Sequence, residues 1–256
     1  MNAIVQRPPS LRCYWLEARC EFLRVLRAPS FAVPTLVFAP MFYLLFGVLL
    51  NGGHGGRATS YLLATYGVFG VMAPGLFGFG VAMAMDRERG FLALKRAMPT
   101  PPAAMLLGKM AMAMMFAAMV SVILASLALT LGHVALSPLQ LFELLATNIL
   151  GVLPFCAIGL YIGTVFSGQA APAVINLLYL PMAFLAGLWM PLSMLPALFT
   201  KLAPVWPAYH LAQIALAVVA LDNGGSVAVH VLVLLAVSAL FFGLARRRLA
   251  RAESIR

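Results

Sequence analysis

Charge is scarce in this chain. Only 9% of its 256 residues are Asp, Glu, Lys or Arg, against roughly a quarter in a water-soluble domain. Hydrophobic residues make up 63%, so the polar surface of a soluble fold cannot be assembled and the apolar surplus has to face lipid. Acid is scarcer than base. The seven carboxylates are Glu17, Glu21, Asp86, Glu88, Glu143, Asp222 and Glu253, and none falls in the middle of an apolar run. That disfavours a proton-coupled secondary transporter, which places ionisable groups near the membrane midplane. Cysteine is nearly absent too: Cys13, Cys20 and Cys156 are an odd set without recurrent spacing, so neither a disulfide framework nor a zinc site is expected. His54, His133, His210 and His230 are not at metal-ligand spacing, and no metal is expected on them. The chain lacks His-Glu-x-x-His, Gly-x-Ser-x-Gly and any paired-aspartate cluster, which disfavours a membrane-embedded enzyme. A phosphate-cradling Walker loop is missing as well. Its nearest frame, Gly163 to Gly168, is followed by Gln169 where lysine is required.

What the sequence has in abundance is long apolar runs. A helix crosses a bilayer core with about 20 residues, and six runs qualify: Phe31 to Leu50, Tyr61 to Met85, Ala103 to Leu131, Leu144 to Phe166, Pro172 to Met190, and Val227 to Ala245. They are continuously apolar and too long for alternating barrel strands. The expected fold class is therefore an all-α polytopic membrane protein with six transmembrane helices. The third run exceeds the bilayer and is expected to tilt or project beyond it, with Lys109 near its start snorkelling to the headgroups.

Fifteen of the seventeen Lys and Arg residues lie before the first run, between the second and third (with Lys109 just inside), or after the sixth; Arg57 and Lys201 alone lie on the other side. Cytoplasmic loops are the ones enriched in these residues. Both ends are thus expected in the cytoplasm of a multi-pass protein in the cell membrane. The net charge of +10 follows from topology, without nucleic acid as a partner. The first thirty residues carry arginines throughout and no cleavable signal pattern, so the first run is expected to act as its own insertion signal.

Three segments are not simple spans. Residues 1–30 form a cytoplasmic N-terminus in which Ser10 to Ala28 reads as an amphipathic helix. Leu11, Tyr14, Trp15, Ala18, Phe22, Val25 and Leu26 share one arc, and Glu17, Glu21, Arg24 and Arg27 lie opposite. Such a helix is expected in the interface plane, where it either anchors the chain or transmits movement to the first span. Residues 31–256 are expected to form one six-span transmembrane domain with a cytoplasmic loop at 86–102, where charge is densest. There Phe91, Leu94 and Met98 would share a helical face, with Pro99, Pro101 and Pro102 ending that helix and starting the next. A short helix of this kind suits docking into a groove. Residues 191–225 are apolar but broken by Pro191, Pro196, Pro204 and Pro207. They are expected to form a re-entrant pair of short helices on the outer side, with Trp189, Trp206 and Tyr209 as interfacial anchors. Asn148 and Asn176 are the notable mid-span polar residues, suited to interhelical hydrogen bonds or to substrate contact. Gly159-x-x-x-Gly163 and Ala183-x-x-x-Gly187 allow close helix approach, within one chain or between two.

Two stretches carry a resemblance. Glu88-Arg89-Gly90-Phe91-Leu92, then Leu94, Pro99 and Gly108-Lys109, are similar to the cytoplasmic signature of type-2 ATP-binding-cassette exporter permeases; Phe91 and Ala93 stand where that family more often has Thr and Glu. Gly187-Leu188-Trp189-Met190-Pro191, with Pro196 and the stretch from Pro204 through Pro207 to Tyr209, resembles the same family's motif after the fifth span. The resemblance implies a half-transporter. Two permease copies, expected as a homodimer, would pair with two copies of a separate ATPase subunit that carries ATP and Mg, so this chain would hold no cofactor. Loop residues Glu88 to Met98 would couple to the ATPase, and the substrate would pass outward between the permeases.

Overall fold

The computed structural model describes residues 11–51, 56–91, 94 and 101–254. Among these residues the structure is helical, without strands. In chain order the helices are α1 (Leu11–Leu26), α2 (Pro29–Phe42), α3 (Arg57–Ala73), α4 (Gly80–Glu88), α5 (Pro102–Thr130), α6 (Pro138–Val165), α7 (Ala171–Leu185), α8 (Ala197–Leu202), α9 (Pro207–Val218) and α10 (Val227–Ser254).

Proline and its capping partners set most of the starts. Pro29, Pro102, Pro138 and Pro207 open α2, α5, α6 and α9, where the missing N–H is harmless and the fixed φ already suits a helix. Ser137 completes a capping box at α6: its hydroxyl accepts from Gln140 N–H at 3.2 Å, and the Gln140 side chain accepts from Ser137 N–H at 3.0 Å. At two prolines within the helical run the ladder changes, whereas Pro34, Pro154 and Pro181 stay within α-helix. After Pro40 the ladder of α2 slips into π-helix over Tyr43–Leu49, and Pro74 opens a π segment, Pro74–Phe79, that joins α3 to α4. Proline cannot donate to the preceding turn, and a wider turn restores the ladder without ending the helix.

Five of the helices are long and apolar enough to cross a membrane: Pro29–Leu49, Arg57–Glu88, Ala103–Thr130, Pro138–Val165 and Val227–Arg251. They coincide with five of the six expected runs. The exception is the run from Pro172 to Met190, which folds as the 15-residue α7. Gly187 sets that limit. It sits at φ +75°, its N–H bonds to the Phe184 carbonyl, and Leu188 N–H reaches back to Ala183. This is the paired closure that ends a helix with a left-handed residue, where glycine meets no β-carbon penalty.

The α3–α4 helix lies at the centre, packed by α2, α5, α6 and α9. It meets α6 backbone to backbone. A β-carbon on Gly159 would lie 2.7 Å from the Gly75 carbonyl oxygen, and one on Gly163 would lie 2.6 Å from that of Gly80. Glycine here removes the volume that would hold the helices apart. At the other extreme, α10 touches chiefly α6 and α9, and only 6% of its membrane-crossing window is buried. α7 rests on the bundle along one edge, leaving Asn176, Leu177 and Leu180 exposed.

The expected amphipathic helix is present, and Phe22, Val25 and Leu26 of its apolar arc pack with Met112 and Phe116. Leu11 and Trp15 of the same arc are 88% and 61% exposed, and Glu21, from the opposite arc, is buried against α5. Lys109 provides the reason. It was expected to snorkel outward, yet it is fully buried and reaches Glu21. A charged face can turn inward when its counter-ion waits inside, and the apolar edge of α1 is then free for lipid.

Candidate functional site

α1, the end of α4 and the start of α5 meet at one end of the bundle, around four charged side chains. Lys109 Nζ lies 2.6 Å from Asp86 Oδ2 and 3.2 Å from Glu21 Oε1. Arg24 closes the ring, 2.5 Å from Glu21 Oε2 and 3.2 Å from Asp86 Oδ1. The side chains of Lys109, Glu21 and Asp86 are 0%, 5% and 8% exposed, and Arg24 is 46% exposed. Two acids and two bases leave the cluster neutral. Burying an ion costs several kcal/mol unless a partner lies close, so the four side chains stand or fall together. Glu21 and Arg24 come from α1, Asp86 from the end of α4 and Lys109 from the start of α5, so the cluster fixes α1 to both of the other helices.

Asp86 is also two residues from the resemblance-bearing loop, and the next residue anchors that loop's root. The Arg87 guanidinium donates to the Thr164 carbonyl and, at 2.7 Å, to the Phe166 carbonyl. The last carbonyls of a helix lack intrahelical donors and carry partial negative charge, which a guanidinium satisfies. Arg87 thus ties α4 to the C-terminal end of α6. Beyond it Glu88, Arg89 and Gly90 are exposed, and Gly90 is at φ +73°. A fresh helical turn starts there, with Leu94 N–H donating to the Gly90 carbonyl at 3.1 Å. It presents Phe91 (41% exposed) and Leu94 (57% exposed) outward. Leu92 and Met98 lie outside the described residues.

Elsewhere the expected residues separate. Asn148 is buried, its amide nitrogen against Gly67 and its Oδ1 without a hydrogen-bond partner among the described residues; Asn176 is exposed on α7. Between α7 and α10 the expected pair of short helices is α8 and α9, with 3-10 turns at Leu192–Met194 and Ala203–Val205. Pro191, Pro196 and Trp206 sit just ahead of such turns or helices, and Pro207 opens α9. Trp189 packs edge-on against Phe69 and Phe184, and Trp206 and Tyr209 also pack on the core. The Gly187 carbonyl accepts from Tyr61 Oη at 2.8 Å, which supplies a partner where the α7 helix has ended.

Sequence reading missed the ion cluster. Its one signal was Lys109, a lone cation inside an apolar run, a residue that ordinarily demands a partner. It missed a second pair as well. His210 and His230 approach Nδ1 to Nδ1 at 2.8 Å, and His210 Nε2 lies 2.8 Å from the Pro204 carbonyl. A carbonyl only accepts, so His210 donates from Nε2; in neutral rings His230 then donates to His210, fastening α9 to α10.

Comparison with known proteins agrees with this architecture. The family model described as ABC-2 type transporter matches residues 13–220, from α1 past the end of α9. The chain is similar to the putative transport permease YvfS of Bacillus subtilis (strain 168), 26% identical over 242 residues that cover 93% of this chain and 98% of the relative. The chain is a multi-pass membrane protein and belongs to the ABC-2 type transporter family.

Proposed function

We propose that this chain is the permease subunit of an ATP-driven exporter and works as a pair with two copies of a separate ATPase. The observation that carries the reading is the exposed turn bearing Phe91 and Leu94, rooted in a helix that Arg87 and the Glu21–Arg24–Asp86–Lys109 cluster fix in place. An apolar knob on a rigid base can enter a groove on a partner and pass force to the membrane helices. In this reading the α1 end, where most of the Lys and Arg residues gather, is cytoplasmic.

α7 is the sixth crossing. At about 1.5 Å per residue its 15 residues span about 22 Å, short of a bilayer core of about 30 Å. The flanking turns complete the passage, with protein partners such as Tyr61 satisfying the backbone. The α8–α9 pair then lies on the outer side. Two copies meet along α7, where Asn176 stands exposed beside Leu177 and Leu180. An amide at lipid depth gains a hydrogen-bond partner there, a contribution of about 1 kcal/mol.

Two experiments bear on this. The purified chain alone is expected to hydrolyse no ATP, whereas co-expression with its ATPase gives a complex with two permeases; robust hydrolysis by the chain alone would contradict the reading. In a background without native cysteines, single cysteines replacing Arg57 and Lys201 react with an impermeant thiol reagent added to intact cells, and those replacing Arg89 and Arg248 do not. Labelling of Arg248→Cys would overturn the six-span arrangement.

A further inference from the structure

α6, α9 and α10, with Met110 of α5, line an open groove with a cavity volume of about 870 Å³. Its walls are apolar: Leu150 and Pro154 of α6, Leu211 and Ile214 of α9, Leu235 and Phe242 of α10. Leu150 and Leu235 are 58% and 60% exposed, so this surface must be covered by something apolar. The cavity begins at the second turn of α6, beside Glu143, and runs to Pro154. Eleven helical residues rise about 16 Å, close to the half-thickness of a bilayer core of about 30 Å. On α10 the lining runs further, from Val227 to Phe242, a rise of about 22 Å, so the groove is long enough to hold an acyl chain.

Its charge is one-sided. Glu143 stands exposed at the mouth with Thr147 one turn further in, and no Lys, Arg or His lines the cavity. Glu143 also has no ion-pair or hydrogen-bond partner among the described residues. A hydrocarbon chain fits the groove, and a carboxylate at headgroup level calls for a cation with hydrogens to donate. A lipid with an anionic glycerol headgroup would bring its phosphate to that carboxylate with no basic side chain to offset it.

We propose that this groove is a binding site for a membrane phospholipid with a primary-amine headgroup. The acyl chain lies along α6 and α10, and the ammonium donates to Glu143. The site is distinct from the α7 face, and it needs only that the chain spans a bilayer; it stands whether or not an ATPase is the partner.

Native mass spectrometry of the chain extracted in mild detergent tests this, with phosphatidylethanolamine and phosphatidylglycerol of identical acyl chains added in equal amounts. The wild type is expected to retain the ethanolamine lipid over the glycerol lipid by about tenfold, the difference one charge-assisted hydrogen bond supplies. Glu143→Gln, a surface substitution that leaves the bundle intact, erases the preference. Ala146→Trp, which fills the groove, releases both lipids. Equal retention of the two lipids by the wild type would overturn the proposal, as would an unchanged preference in Glu143→Gln. A disulfide-linked dimer formed through Ala146→Cys in the cysteine-free background would place a second copy of the chain in the groove and overturn it as well.

Discussion

Lys109→Met is expected to lose most of the folded population of the detergent-solubilised chain, with a destabilisation of about 3–5 kcal/mol, the cost of leaving a buried ion unpaired. Methionine fills nearly the same space, so packing is not the cause. The variant instead removes the buried cation that Glu21 and Asp86 share, each of them less than a tenth exposed, while Arg24 is half-exposed. Neutralising the whole set separates the causes. In the triple variant Lys109→Met, Glu21→Gln, Asp86→Asn no unpaired buried charge remains, and most of the lost stability returns. Thermal or denaturant unfolding of the three proteins reads both numbers. Had Lys109 snorkelled to the headgroups, Lys109→Met would be nearly silent, so wild-type stability in the single variant would contradict the buried cluster.

That cluster marks where sequence reading stopped. The long spans were legible because continuous apolar runs of this length have one place to go in a bilayer. Gly159 and Gly163 were legible as a close-approach stripe, but their partners Gly75 and Gly80 were not, since a stripe does not say what it meets. What α1 did not reveal was the inward turn of Glu21, for a physical reason. Periodicity finds two faces, and in water the charged one points outward; beside a membrane the apolar edge can face lipid while Glu21 turns inward. Its partner Lys109 is 88 positions away, a separation that no local pattern bridges. The shortening of α7 was half legible. Gly187 and Pro191 were visible as a motif, yet the left-handed closure at Gly187 that stops the helix at Leu185 needed the backbone to show it.

The largest effect on partner binding is expected at the loop. Phe91 and Leu94 are large apolar side chains held out from the bundle on a turn that begins at Gly90. Neither stabilises the described fold by burial, so truncating them leaves insertion and folding intact. If they fill a groove on the ATPase, truncation removes an interface anchor, at a cost of about 2 kcal/mol or more, a weakening of roughly thirtyfold. If the loop matters only through positive charge at the cytoplasmic face, the same truncation does nothing, because Arg87, Arg89, Lys95 and Arg96 remain.

The measurement is co-purification of the ATPase with the Phe91→Ala, Leu94→Ala double variant, after normal membrane insertion has been verified, together with transport by the assembled complex. Retained ATPase is expected to fall by about thirtyfold in affinity, and transport to fall with it. An inserted double variant that holds its ATPase and exports as the wild type does would contradict the account and move the coupling role to α1.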